Sequence, residues 1–482
     1  MSIMLELYLG RLMSENTVPQ NNPKALSRVL KPFSVLLITL SLITPACSFF
    51  ILTPGVIAIS GTGALLSFIL ASIVAVLLAV VWAELSSAFP ISGGDYTLVG
   101  KTLGRFWGFI MLILVLVISV FSNALTAVSM ASYLSVVFGD MNPVVIGLVF
   151  TITATVISIV RIQVNAVVTG IFLAVELLLL VLITIVGFMK ASHPVSSLFL
   201  HTVHLDPETK TLASVPIGMV VGAMSVALFT LNGYGAAVYF GEELVGARTT
   251  MGKIILLAVL LSVLTQIFPL VAVLLSSNDL HAFFSADHMI EYFLETHVSH
   301  TTTLVASFAV ATALFNALIA TILAGARLVY SSGRDGIWAA PINRALSEVH
   351  PKFASPAIAT LLLGSLSAFA CFCSLNFLIL ATSTVLVATY FFICFAVIAG
   401  RYHGKTNIGH YRMPLYPLPP ILAIIALIYV LVSTWQDKFF GRPSLIVTGI
   451  ILLSAMAYYV LFLYWRKDWE IKGPDEYVDN GH

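Results

Sequence analysis

Long apolar runs, separated by short polar segments, follow one another along almost the whole chain. Runs of about 20 apolar residues are long enough to cross a bilayer. Because lipid offers backbone groups no partners, each run predicts a helix. The pattern predicts an all-α integral membrane protein with twelve spans, at 33–58, 64–88, 107–136, 143–161, 165–189, 216–241, 253–277, 301–325, 357–374, 377–399, 417–436 and 444–465.

The distribution of basic residues predicts how these spans are oriented. With both termini on the cytoplasmic side, 19 of the 23 lysines and arginines fall in cytoplasmic segments. The other four are Lys190, Lys210, Lys438 and Arg442. Cytoplasmic loops carry an excess of Lys and Arg, so the split favours both this orientation and an even number of spans. We expect a multi-pass protein of the cell (inner) membrane.

Composition removes several classes of function. The chain is 59% hydrophobic and 9% charged, whereas soluble domains average roughly 25% charged residues. The longest cytoplasmic connection, 326–356, is too short for an ATPase, kinase or receptor domain, and no Walker A pattern occurs. The net charge of +1 gives no sign of nucleic-acid binding. The classes that remain are a secondary transporter, a channel, a membrane-embedded enzyme and a structural scaffold. An enzyme is not expected, because the spans lack the clustered His, Asp or Ser/Lys chemistry that one would need.

No cofactor or metal site is predicted. The cysteines lie inside apolar runs without the spacing of metal ligands, which favours small packed side chains: Cys47, Cys371, Cys373 and Cys394.

Two spans contain residues that interrupt a helix. Span 1 carries Pro45 near its middle, and proline removes an amide and clashes with the preceding turn. Span 6 carries Asn232-Gly233-Tyr234-Gly235, which is typical of a turn. Spans 1 and 6 each open a block of five, and paired interruptions of this kind mark transporter binding sites near the midplane. A plain kink or close packing of small residues is the alternative.

Four stretches resemble the amino acid–polyamine–organocation (APC) superfamily of secondary transporters. They are the broken first span with the run after it, "AELSSAFPISGGDYTLVGKTLG" at 83–104, "FTLNGYGAAVYFGEEL" in span 6, and "ARLVYSSGRDGIWAAPINRALSEVHPKFASPAIA" at 326–359. The resemblance covers roughly residues 30–465 and implies a five-plus-five inverted repeat of the LeuT type with broken helices 1 and 6. The implied organisation is a cytoplasmic N-terminal segment, spans 1–5, an extracytoplasmic loop, spans 6–10, spans 11–12 and a cytoplasmic tail, at 1–32, 33–189, 190–215, 216–399, 400–465 and 466–482.

The resemblance also implies a function and a site. It implies alternating-access transport of amino acids, as proton symport or exchange, with a polyamine or organic-cation importer as the alternative. By motif, Thr44 to Ser48, including Ala46 and Cys47, corresponds to the unwound part of span 1, and Asn232 to Gly235 to that of span 6. Phe229 matches an aromatic position that caps the substrate in relatives. Two departures are the absence of a glycine triplet in span 1 and Tyr234 where some cation-specific relatives carry an acid.

Ionisable residues inside or beside the spans are the remaining candidates. Glu176 lies in the middle of span 5, where a charge is costly, and we expect it to exchange a proton during transport. A structural hydrogen bond to a neighbouring helix is the alternative. We also expect Glu84, Asp95 and Arg334 to take part in an inner gate, together with neighbouring acidic and basic residues. Solvated helix ends would explain them equally well.

Polar side chains within spans complete the candidates. Asn123 in span 3 and Asn316 in span 8 rank highest for the substrate site, because a buried amide must find several partners. Interhelical hydrogen bonds are the other explanation for each.

A channel would require a ring of filter residues, which is not evident. A sensor or scaffold that does not transport remains the alternative from another class.

Overall fold

The computed structural model describes residues 30–471, with gaps at 92, 160–161, 207, 287, 354, 437, 439–440 and 467–468; for 162–169, 376 and 380 it describes the backbone only. The α-helices of the first half are α1 Pro32–Ile43, α2 Pro45–Cys47, α3 Thr53–Ser60, α4 Ala64–Ala88, α5 Asp95–Leu103, α6 Arg105–Phe138, α7 Pro143–Ser158, α8 Ile162–Met189, α9 Ser197–Leu200, α10 Ile217–Gly222 and α11 Met224–Thr230.

The second half continues with α12 Ala247–Ser276, α13 Leu280–Ser285, α14 Met289–His297, α15 His300–Arg334, α16 Ala340–Leu346, α17 Ala357–Ala370, α18 Leu375–Tyr402, α19 Leu418–Gln436 and α20 Gly441–Tyr458. Short 3-10 or π segments occur at Ser48–Leu52, Gly61–Gly63, Tyr234–Phe240, Lys405–Ile408 and Tyr459–Leu463. Strands β1 Val203–Leu205 and β2 Leu212–Ser214 pair antiparallel, with His204 opposite Ala213.

Helix length and apolar composition support a multi-pass membrane protein. Among the described residues, nine helical stretches are long and apolar enough to cross a membrane. The first runs from Pro32 to Ala88 and covers two predicted spans. Two shorter apolar helices, Pro143–Ser158 and Ala357–Ala370, coincide with predicted spans 4 and 9.

Local chemistry explains where several helices begin. α1 and α7 start with Pro32 and Pro143, whose fixed φ suits the first helical position and whose missing amide would have no partner there. Asn142 precedes α7, and its side chain accepts hydrogen bonds from the amides of Val144 and Val145.

The helix of span 8 is longer than the predicted span. Span 8 was expected to end near residue 325, but α15 continues for two more turns to Arg334. The sequence between them contains no proline, and its residues are mostly buried, so packing extends the helix past its apolar run. As a result, Arg327 and Arg334 lie on a helix rather than in a loop.

The broken helices lie inside the bundle, and the last two helices lie outside it. Buried residues make up 56% of the apolar window of Pro32–Ala88 and 61% of that of Ile217–Phe240, but only 33% of that of Leu418–Gln436 and 11% of that of Gly441–Leu463. α1 packs against α8, α12 and α15, and α11 packs against α4 and α18. The interruptions in spans 1 and 6 are therefore enclosed by protein rather than by lipid.

Candidate functional site

The interruption of span 1 is narrower than predicted. α1 ends at Ile43, and Thr44 adopts a left-handed conformation with φ 50° and ψ 64°. The chain becomes helical again at once, through α2 and then the π segment Ser48–Leu52. Pro45 explains the early return, because it is favoured at the first position of a helix. Of the predicted unwound segment, Thr44 to Ser48, only Thr44 leaves the helical region.

The interruption of span 6 consists of a turn followed by a tighter helix. α11 ends at Thr230, and the chain resumes as the 3-10 segment Tyr234–Phe240. Gly233 between them has φ +115°, which favours glycine. A Cβ placed on Gly233 would lie 2.9 Å from the Cα of Ile43. The two interruptions thus touch each other, with the backbone of span 1 against Gly233.

Two side chains of α12 bind carbonyl groups at the interruptions. Ser262 Oγ donates to the Leu231 carbonyl at 3.1 Å, and Gln266 Nε2 donates to the Pro45 carbonyl at 2.9 Å. Both side chains are fully buried and lie one helical turn apart. Neither Gln266 nor Ser262 was among the predicted site residues. The signal that could have found the pair is their four-residue spacing within an apolar helix.

Glu176 on α8 reaches the interruption of span 1. Its Oε2 accepts a hydrogen bond from the Ala46 amide at 3.4 Å, and the residue is 1% exposed. Its other oxygen has no hydrogen-bond partner among the described residues. Asn316 on α15 lies beside this carboxyl, and neither polar atom of its amide forms a hydrogen bond there. A carboxyl and an amide, both buried, therefore have unused hydrogen-bonding capacity next to α2.

Two cavities border the interruptions. The large cavity, of about 130 Å³, is lined by Leu42, Trp82, Asp95, Val115, Ile118, Ser119, Ser122, Asn232, Gly233, Gly235, Ala236, Tyr239, Thr321, Ala324, Gly325, Leu386, Thr389 and Tyr390. The small cavity, of about 60 Å³, is lined by Leu42, Ile43, Thr44, Cys47, Ser48, Ile51, Leu52, Ser122, Leu125, Thr126, Phe229, Asn232 and Thr321. Asn232 belongs to both cavities, so the turn of span 6 lies between them.

Aromatic side chains hold this turn in place. Tyr390 on α18 donates a hydrogen bond to Asn232 Oδ1 at 3.1 Å. The Trp82 ring contacts Tyr234 and Tyr390 edge to face, with ring centroids 5.8 and 5.4 Å apart. Tyr234 is 1% exposed and lines neither cavity. Tyr234 therefore packs against Trp82, which lines the large cavity, and does not itself face a cavity.

The structure brings together most, but not all, of the predicted substrate-site residues. Thr44, Cys47, Ser48, Phe229, Asn232, Gly233 and Gly235 line one cavity or both. Asn123 lines neither cavity, and its Nδ2 donates to Ser367 Oγ of α17 at 3.1 Å. Ala46 and Asn316 also lie outside both, next to Glu176. The aromatic residues Trp82, Tyr239 and Tyr390 were missed, because nothing in the sequence distinguishes them from core residues.

Buried ion pairs join α15 to the segment that follows span 6. Arg327 binds Glu243 through two hydrogen bonds of 3.1 and 3.2 Å, and both side chains are 4% exposed. Arg334 contacts Glu242 at 2.8 Å and Asp335 at 3.2 Å. Of the predicted gate residues, Arg334 thus bridges two elements. Glu84 instead pairs with Arg401 on α18, at 2.6 Å, a partner that the prediction did not include.

Asp95, the third predicted gate residue, begins α5 and lines the large cavity. Its carboxyl accepts hydrogen bonds from Trp82 Nε1 at 2.6 Å and from the Tyr239 hydroxyl at 3.3 Å. Burial raises the pKa of Asp95 to about 6, and the two hydrogen bonds act in the opposite direction. Near neutral pH the large cavity therefore has an acidic group at one end.

Within the described part of the chain, no group of three or more His, Cys, Asp or Glu side chains is placed to hold a metal ion. The four cysteines are unpaired, and three of them are buried.

Comparison with known proteins is consistent with this geometry. A family model described as "Amino acid permease" matches residues 30–461. A methylthioribose transporter of Bacillus subtilis is 24% identical over 481 residues, covering 94% of this chain and 96% of the relative. The large neutral amino acids transporter small subunit 2 of Homo sapiens is 24% identical over 427 residues, covering 84% and 74%. A branched-chain amino acid permease of Bacillus subtilis is 22% identical over 467 residues, covering 92% and 94%. With the family model matching most of its length, the chain belongs to the amino acid permease family.

Proposed function

We propose that this permease carries neutral amino acids across the cell (inner) membrane by alternating access. In this proposal twelve spans cross the bilayer and both termini are cytoplasmic. Spans 1–5 and 6–10 form the inverted repeat, and spans 11 and 12 are peripheral. The observation that carries the proposal is the contact between the two interruptions, at Gly233 and Ile43, beside two cavities that share Asn232.

The backbone chemistry of the interruptions supports an anionic group as one half of the ligand. The carbonyls of Pro45 and Leu231 are already bonded to α12. A helix that restarts leaves its first amides without partners inside the helix, and these carry partial positive charge. In our proposal the substrate carboxylate lies at the start of the helical segments that resume after Thr44 and after Gly233, where the helix dipole favours an anion.

The remaining lining supports a neutral, apolar side chain on the substrate. Leu42, Val115, Ile118 and Leu386 form apolar walls. Among the described residues, Asp95 is the one acidic residue that lines either cavity, and its two oxygens already accept hydrogen bonds. A polyamine would need acidic groups for more than one ammonium, so a polyamine importer is the weaker proposal. Two of the relatives are named for large neutral and for branched-chain amino acids, which agrees with a neutral substrate.

We further propose that Glu176 carries the coupled proton. Its carboxyl contacts the Ala46 amide in the broken span and has one unbonded oxygen, so gaining or losing a proton changes what it can bind at α2. Asn316 is the proposed second partner, since its amide can donate to an ionised carboxyl or accept from a protonated one. For the inner gate we propose the Arg334–Glu242 pair, with Asp95 and Glu84 fixing the neighbouring helices.

A thermal-shift screen of the purified protein tests the substrate class. A ligand raises the melting temperature of the state that it binds. We expect leucine, isoleucine, valine or phenylalanine to raise it in a saturable way, whereas spermidine, putrescine and methylthioribose should not. Shifts caused by polyamines or methylthioribose alone would reject the neutral amino acid.

A further inference from the structure

A third, much larger hollow lies at the end of α18, away from the broken helices. It measures about 880 Å³ and is lined by Leu103, Trp107, Phe392, Phe395, Ile398, Ala399, Arg401, Tyr402, His403 and Tyr416. None of these residues lines either cavity of the substrate site. We call this hollow the α18 groove.

One end of the α18 groove is apolar and open to the surroundings of the bundle. Trp107 and Phe395 are 37% and 47% exposed, and Trp107 lies over Phe392 with ring centroids 5.5 Å apart. These residues belong to helical stretches long and apolar enough to span the membrane. Large side chains exposed on such helices face lipid, so this wall suits a hydrocarbon chain rather than a soluble ligand.

The other end carries basic and hydrogen-bonding groups. Arg401 uses Nε and Nη2 to bind Glu84, at 2.7 and 2.6 Å, and its guanidinium lies 4.3 Å from the centre of the Tyr416 ring. Nη1 of Arg401 makes no hydrogen bond to the described residues, so it can donate to a further acceptor. Tyr402, which is 84% exposed, and His403 follow directly.

The balance of charge at this end is positive. Glu84 is 1% exposed, and its charge is matched by Arg401. Lys405 adds an ammonium group 3.0 Å from the Lys101 carbonyl and 3.1 Å from the Thr102 carbonyl, next to Leu103 at the edge of the groove. Because Glu84 is already paired with Arg401, the positive charge of Lys405 remains available to bind an external anion.

We propose that the α18 groove binds one anionic phospholipid. The phosphodiester is held by Arg401 Nη1, His403 and Lys405, and an acyl chain lies along Phe392 and Phe395 toward Trp107. Arg is suited to phosphate because its planar group offers several donors at fixed angles. The aromatic wall selects a ligand that carries a hydrocarbon chain, which a free phosphate lacks.

Filling the groove tests the proposal. Ala399 lies on the groove wall and is partly exposed, so Ala399→Trp occupies the space of the acyl chain. Ala457→Trp, on the exposed face of α20 and outside the groove, is the matched control. Both variants and the wild type are purified in detergent and melted with added phosphatidylglycerol, with phosphatidylcholine of the same chains, or with glycerol phosphate.

We expect phosphatidylglycerol to stabilise the wild type and Ala457→Trp in a saturable manner, and Ala399→Trp to bind it about tenfold more weakly. Phosphatidylcholine and glycerol phosphate should give no comparable shift. Equal shifts with both lipids, an equal shift with glycerol phosphate, or an unchanged affinity in Ala399→Trp would each overturn the proposal. If Ala399→Trp does not fold, Lys405→Gln is used instead, and retention of full selectivity for phosphatidylglycerol there would overturn it too.

Discussion

The Nε2 group of Gln266 lies 2.9 Å from the carbonyl oxygen of Pro45 and donates a hydrogen bond to it. This bond joins an unbroken helix, α12, to the interrupted first span. Four residues earlier on the same helix, Ser262 binds the Leu231 carbonyl of the other interrupted span. One face of α12 thus supports both interruptions, and this explains how the protein keeps open backbone turns inside an apolar bundle.

Gln266→Leu should destabilise the protein by about 1–3 kcal/mol, because it removes two buried hydrogen bonds, one to the Pro45 carbonyl and one from the Thr53 hydroxyl. The melting temperature and the initial rate of uptake should both fall. Thr265→Val is the matched control, since the Thr265 hydroxyl bonds only to the Ser262 carbonyl of its own helix. If Gln266→Leu melts and transports like Thr265→Val, α12 does not support the interruption in the way described here.

Gly233→Ala should impair both stability and transport. The residue has φ +115°, and a methyl group there would meet the backbone of Ile43. A left-handed conformation alone costs an alanine roughly 1–2 kcal/mol, and the contact adds to that. Gly449→Ala on α20, where an added Cβ has no neighbour within 4 Å, serves as the control. Wild-type uptake by Gly233→Ala would show that the two interruptions need not touch.

Breaking the Arg327–Glu243 pair should be costly, since both side chains are almost completely buried. Glu243→Gln leaves an unpaired charge and is expected to cost about 3–5 kcal/mol. The double variant Arg327→Gln/Glu243→Gln should recover part of this, which a double-mutant cycle of unfolding free energies measures. Glu295→Gln, in the exposed His300–Glu295 contact, should stay within about 1 kcal/mol of the wild type. Additive effects in the cycle would mean that the pair is not coupled.

Glu176→Gln should abolish uptake driven by a pH gradient while exchange of substrate for substrate persists. Glutamine retains an oxygen that can accept the Ala46 amide, but it cannot gain or lose the proton. Glu291→Gln is the control, because Glu291 is another buried acid, 7% exposed, on α14 outside both cavities. Proton-driven uptake that survives in Glu176→Gln would assign the coupling to another group.

Much of this architecture follows from the sequence because its causes are local. Proline at 45 and the Asn-Gly turn at 232–233 have few alternatives in a helix, and both interruptions lie where they were predicted. Their extent could not be predicted, since Pro45 also favours the restart that limits the turn to Thr44. The end of α15 was missed because burial, not hydropathy, extends it to Arg334.

The walls of the site are harder to predict, for a physical reason. Trp82, Tyr239 and Tyr390 come from three different elements and meet only when the bundle packs. Asn123 shows the reverse case, since a buried amide was expected near the substrate but binds Ser367 on a neighbouring helix instead. Polarity within a span identifies a residue that needs a partner, and tertiary structure decides which partner it finds.

Uptake of radiolabelled leucine into proteoliposomes tests the central claim most directly. The wild type should give saturable uptake that rises with an inward proton gradient, that excess isoleucine or phenylalanine suppresses and that excess spermidine leaves unchanged. Liposomes that contain Gly233→Ala should take up markedly less. Leucine uptake no greater than in empty liposomes, with spermidine taken up in its place, would contradict the account.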